Sequence, residues 1–258
     1  MTDLAALAKA AEQTDGSLLG TFTGEDLVET FAPYFMPDII KDKQLDTEKL
    51  RTVLQELQTI AAHCDMVEKY KKGERASNEW DLPSAMQAVL CQISGFNDAM
   101  FDLAIINLVK GDYTSFENAY IPTVEIGVNA NTKQADLAKE FAAFVMSREV
   151  QDGDFYDGFP VNKESLHMQV SLDRSDYAAY TTIEGADGQE IGLDIEPIKA
   201  ADADKLEALC DSLSKKTVKD AKVLEELKKS VPDYLLGRQS LDDTISKIQD
   251  GVKIYLAE

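Results

Sequence analysis

The sequence predicts a predominantly helical α/β protein, and three observations carry that expectation. Apolar residues recur at three- and four-residue steps near both ends, as in Leu50, Val53, Leu54, Leu57, Ile60 and Ala61. Polar residues suited to cap helices stand in front of several of these stretches. The clearest run with strand character, Tyr120 to Asn129, sits in the middle of the chain.

Taken in order, Thr2 opens a short helix with Leu4, Leu7, Ala8 and Ala11 on one face. Thr23, followed three residues later by Asp26, has the form of a capping box before Leu27, Phe31 and Phe35. Pro33 and Pro37 are expected to end that helix early, because a proline inside a helix removes an amide donor. The third helix starts at Asp46 and its apolar stripe reaches Cys64. From Lys71 to Asp81 the residues are polar apart from Trp80, which reads as an exposed loop. Met86 to Ser94 and Ala104 to Leu108 are short apolar runs that fit a strand or a buried helix equally.

Tyr120 to Asn129 has Pro122 and then β-branched residues alternating toward Gly127, and reads as a strand. Asn131 or Thr132 is expected to cap the next helix. Its Leu137, Ala138, Phe141, Ala142, Phe144 and Val145 form an apolar face wide enough to need cover on both flanks, ending near Arg148. Leu172 to Pro197, with Gly185, Gly188 and Gly192, reads as an excursion of loops. Three helices close the chain: Asp202 to Leu213, Thr217 to Lys229 with Thr217 and Asp220 as a capping pair, and Ser240 to Leu256.

Composition limits the function. The 258 residues are 44% hydrophobic and 28% charged with 14 Gly and 7 Pro, which excludes disordered and collagen-like classes. The net charge of -21 repels phosphate backbones and anionic lipid, so nucleic acid is not an expected partner. No run approaches the roughly 20 apolar residues that span a bilayer, and Met1 to Leu4 lacks the basic start and apolar stretch of a signal peptide. Cys64, Cys91 and Cys210 are too few and too widely spaced for a disulfide framework or a CxxC motif; Cys64 and Cys210 fall on apolar stripes and read as core residues.

Catalytic motifs are absent: no G-x-S-x-G elbow, phosphate loop, dinucleotide turn or H-E-x-x-H helix occurs. His63 and His167 are the only imidazoles; His63 lies just before a core position on its helix and reads as structural, and a His-based triad is poorly supported. Asp152, Asp154 and Asp157 suggest a calcium loop, but Tyr156, Asp157 and Lys163 stand where it needs an oxygen ligand, Gly and Glu, so a solvated acidic turn is the better reading. No metal or other cofactor is implied. One constellation does suit a ligand. Trp80 lies between Glu79 and Asp81, and an aromatic face stacks on a sugar ring while adjacent carboxylates accept hydrogen bonds from its hydroxyls. The structural alternative is a Trp that pins a loop to the core.

The segment Ile126-Gly127-Val128-Asn129-Ala130-Asn131-Thr132, then Ala138-Lys139-Glu140-Phe141 and Phe144 to Gln151, resembles the extracellular solute-binding proteins of ABC importers, particularly the carbohydrate-binding kind. Gly158-Phe159-Pro160-Val161-Asn162-Lys163 and the end from Ser240 to Glu258 are similar to later parts of that family. The resemblance implies a periplasmic-binding-protein-like fold of type II over residues 1–258, comprising the second lobe with little of the first. It further implies a sugar or oligosaccharide ligand held between lobes, a permease as partner, and an extracellular, membrane-anchored location for full-length members. Trp80 and Tyr120 are the candidates for stacking, and Glu79 and Asp81 for accepting hydroxyls. The resemblance places the helix after Asn131 against the first lobe, so a homodimer or a repacked helix is expected without it. Two readings stand beside binding: an acidic helical interaction module that retains the fold without transport, and a hydrolase using two carboxylates about 5 to 10 Å apart.

Overall fold

The computed structural model describes residues 2–13, 19–69, 93, 95–108, 110–153, 158–172, 179–184 and 189–257. It is mixed α/β and predominantly helical. The helices are α1 (Leu4–Glu12), α2 (Gly24–Ile39), α3 (Thr47–Ala62), α4 (Phe96–Leu108), α5 (Ala135–Val145), α6 (Arg148–Gln151), α7 (Lys163–Val170), α8 (Ala200–Ser212), α9 (Ala221–Leu235) and α10 (Leu241–Ala257). The strands are short. β1 (Thr21–Phe22) pairs in parallel with β4 (Asp65–Met66), and β5 (Ala119–Tyr120) in parallel with β8 (Lys215–Lys216). β2 (Ile40–Lys41) with β3 (Gln44–Leu45), and β6 (Ala179–Glu184) with β7 (Glu190–Ile195), are antiparallel.

Local signals place most helix starts. Thr23 and Asp26 close the expected capping box at the head of α2, with the Asp26 amide 3.0 Å from Thr23 Oγ1 and the Thr23 amide 3.1 Å from Asp26 Oδ2. Asp46 caps α3 through the Lys49 amide at 2.9 Å. The first helix is capped by Asp3 rather than Thr2. α9 begins after Asp220 alone, because Thr217 is buried and spends its amide on the Tyr120 carbonyl at 3.0 Å.

The apolar stripes assemble into two clusters. The larger gathers Phe31, Leu54, Leu57, Leu227 and Ile248 from α2, α3, α9 and α10, with α1 against it. Close packing of α2 on α9 requires a glycine: a Cβ at Gly24 would lie 2.9 Å from that of Pro232. The smaller joins Phe96 and Ala99 of α4 to Leu166, Val170, Ala203 and Leu206 of α7 and α8, with Phe159 edge-on to Phe96 at 5.0 Å.

Several expectations are corrected. α2 runs through Pro33 and Pro37. Pro37 cannot supply the amide that the Pro33 carbonyl would receive in a helix, and the Val218 amide supplies one instead at 3.0 Å. Burial of Phe31, Phe35, Met36 and Ile39 holds the rest of the helix in place. Of the two readings open for Ala104 to Leu108, helix is the one found, at the end of α4. The strand expected over Tyr120 to Asn129 is paired only at Ala119–Tyr120, and among the described residues no strand completes a ladder with the remainder. α5 begins at Ala135, with neither Asn131 nor Thr132 as its cap, because Thr132 Oγ1 closes a turn onto the Gln134 amide instead. Within the stretch read as loops, β6 and β7 form a six-pair ladder. Met86 to Gln92, including Cys91, lie outside the described residues, as do Ser94 and the loop from Lys71 to Asp81.

Candidate functional site

The chain crosses between the two clusters at β5 and β8. Glu117 and Asn118, just before β5, both take left-handed backbone conformations with φ of 59° and 45°. Such a conformation costs a non-glycine residue roughly 1 to 2 kcal/mol. The turn is held from several sides: Ser115 Oγ donates to Asn118 Oδ1 at 2.8 Å, and the Glu117 amide donates to the Thr2 carbonyl at 2.6 Å. The Asn118 carbonyl accepts the Ser214 and Lys215 amides at 2.9 and 3.0 Å. Phe116 anchors the same segment to the larger cluster, with its ring 5.9 Å from Phe31 and 5.1 Å from Tyr34.

Charged groups converge on this crossing. Lys215 Nζ sits 2.7 Å from Asp38 and 3.1 Å from Glu117. Burial works against the ammonium, but the two carboxylates outweigh it and hold the Lys215 pKa above the ordinary lysine value. Lys216 pairs with Glu125. Tyr120, in register with Lys216, is 41% exposed. The crossing therefore presents an exposed Tyr120 in register with Lys216, the partner of Glu125, while alternation along the strand puts Lys215 on the other face. An aromatic ring with polar groups on its own face can hold a polar ring by stacking and hydrogen bonds.

Of the residues singled out in the sequence, Tyr120 lies at this crossing, while Trp80, Glu79 and Asp81 lie outside the described residues. Asp38, Glu117 and Lys215 were not singled out. They are distant in sequence, and the one local signal was a pair of adjacent lysines, Lys215 and Lys216, in an acidic chain.

Other groups offer little chemistry. Burial pushes the thiols of Cys64 and Cys210 up to about 11, so both are protonated near neutrality and poor nucleophiles. His167 is exposed, and its hydrogen bond to Glu207 at 2.9 Å raises its pKa. Asp152 is taken by Arg148 at 2.9 Å and by the Ser165 hydroxyl at 2.6 Å; Asp154 and Asp157 lie outside the described residues. No group of three metal-ligating side chains occurs among the described residues. A concavity of about 280 Å³ lies between α4 and β7, with Met100, Leu103 and Leu193 on its apolar side and Asp194 and Lys199 on its polar side.

The broad face of α5 is uncovered. No residue of this helix is buried, which corrects the expectation of cover on both flanks. Ala135, Ala138, Ala142 and Val145 are half-buried, while Leu137, Phe141 and Phe144 stand in solvent. Beyond α5 the chain is tied together by Gln151: its Nε2 donates to the Val145 carbonyl at 3.0 Å, and its Oε1 accepts the Val161 amide at 2.9 Å.

Compared with known proteins, the chain matches no family model and none of the curated proteins.

Proposed function

We propose that this chain is the ligand-binding component of an ABC importer for a sugar or oligosaccharide, corresponding mainly to the second lobe of such a protein. The observation that carries the reading is the pair of separate hydrophobic clusters joined through β5 and β8, with Tyr120 exposed at the junction. Two bodies joined by short crossing strands can close on a ligand at the crossing. On this reading Tyr120 stacks on the sugar, Trp80 provides a second ring, and Glu79 and Asp81 accept hydroxyl hydrogen bonds. The protein binds its ligand without converting it. The full-length protein would work outside the cell, anchored to the membrane beside its permease.

Calorimetric titration with a panel of mono- and oligosaccharides tests the reading. Heat of binding to at least one sugar, weakened by Tyr120→Ala and by Trp80→Ala, is expected; no binding across the panel, or binding untouched by both substitutions, refutes it. The uncovered face of α5 favours a second reading, an acidic helical interaction module that retains the fold without transport. That module predicts no sugar binding and capture of a protein partner abolished by Phe141→Glu.

A further inference from the structure

Residues 121–128 continue from β5 outside any ladder, with a bend at Thr123, and among the described residues their amides and carbonyls enter no backbone hydrogen bond. Their apolar side chains are in solvent: Val124 is 79% exposed, Ile126 47% and Val128 38%. A Cβ built on Gly127 would meet nothing within 4 Å, so another backbone can approach closely. An unpaired, apolar strand edge is a template for a further strand. The turn at Asn129 and Thr132, closed by a 3.0 Å hydrogen bond, leads from this edge directly into α5, where Leu137, Phe141 and Phe144 form a second exposed stripe.

We propose that this edge and this stripe form a twofold interface between two copies of the chain. The 121–128 segments would pair antiparallel and the α5 stripes would pack beside them. Charge argues for a second copy. The chain carries -21 overall, but residues 121–149 contain Lys133, Lys139 and Arg148 against Glu125, Asp136, Glu140 and Glu149, a net charge of only -1, and Glu125 is already paired with Lys216. Two copies can therefore meet here without the repulsion that opposes contact elsewhere. Area argues the same way. Val124, Ile126, Val128, Leu137, Phe141 and Phe144 expose on the order of 600 Å² before any backbone is counted, against the roughly 800 Å² that each partner gives to a standard interface. An antiparallel edge is also self-complementary, as a twofold contact requires. The proposal is independent of sugar binding.

Sedimentation equilibrium of the intact chain, with hydrogen exchange on the same samples, tests it. At tens of micromolar the expected mass is twice 28.5 kDa. Alternate amides within residues 123–128, those that face the partner strand, should become protected as concentration rises. Added salt should tighten the dimer, because it screens the repulsion between the acidic remainders. Ile126→Pro removes an edge donor, and Phe141→Glu places a charge in the stripe. Each should weaken association by roughly tenfold or more while leaving the far-ultraviolet dichroism unchanged. Should Ile126→Pro disturb folding, Phe141→Glu and the exchange data still decide. A monomer at every concentration overturns the proposal. So does a monomer with 123–128 already protected, which would mean that the chain covers its own edge, and so does a dimer indifferent to both substitutions.

Discussion

Gln151→Met is a sharp test of how the region carrying α5 is held. Gln151 is 8% exposed, and methionine matches its volume closely, so the substitution removes polar contacts without opening a cavity. Two hydrogen bonds are lost: one to the Val145 carbonyl, which ends α5 without an intrahelical partner, and one from the Val161 amide. A buried backbone group left unsatisfied costs about 1 to 3 kcal/mol. Both bonds are only partly buried, and Val161 is itself 67% exposed, so water can recover part of the loss. About 1 kcal/mol for each bond, or about 2 kcal/mol together, is therefore expected. In a chain of this length that lowers the melting temperature by about 4 to 8 °C. Urea unfolding followed by circular dichroism gives the free energy, and amide exchange at Val161 gives the local effect. The bond from the Gln169 side chain to the Gln151 carbonyl survives the change, so the segment should stay folded with a faster-exchanging Val161. A variant within about 0.5 kcal/mol of the parent, the range of an ordinary surface substitution, and with Val161 exchange unchanged would refute the reasoning.

Two further outcomes follow from the same geometry. Asp220→Ala removes the acceptor for the Lys222 and Val223 amides at the head of α9, both 3.0 Å away, and should cost about 1 to 2 kcal/mol in a urea melt. His167 has a pKa raised by Glu207, so the folded state prefers its charged form. Its small contribution is fully present below the unfolded value near 6.5 and is lost as pH rises through the higher folded value. An NMR titration should show His167 titrating above 6.5, and Glu207→Gln should lower the midpoint; an unchanged midpoint would remove the pairing as its cause.

How much was legible depended on how far each interaction reaches along the chain. A capping box needs four consecutive residues, and a helical stripe repeats within seven, so Thr23 with Asp26, Asp46, and the stripes of α3 and α10 could be read directly. The cysteine readings were likewise local: Cys64 is buried and Cys210 half-buried. Tyr120 could be picked out as a candidate by residue type and position. Its neighbours could not, because Lys215 meets Asp38 and Glu117 across 177 and 98 residues of sequence.

The sequence alone therefore determined the helical class, caps such as Thr23 and Asp46, and the acidic surface. Each follows from side chains acting on their own backbone or on solvent. Tertiary structure decided whether α2 survives its prolines, because the amide that replaces the missing donor comes from Val218. It decided that residues 179–184 and 190–195 pair while most of 121–128 does not, since a strand is completed only by a partner strand. And it decided that the apolar face of α5 lies open: periodicity marks a face as apolar, but what packs against it depends on the rest of the fold.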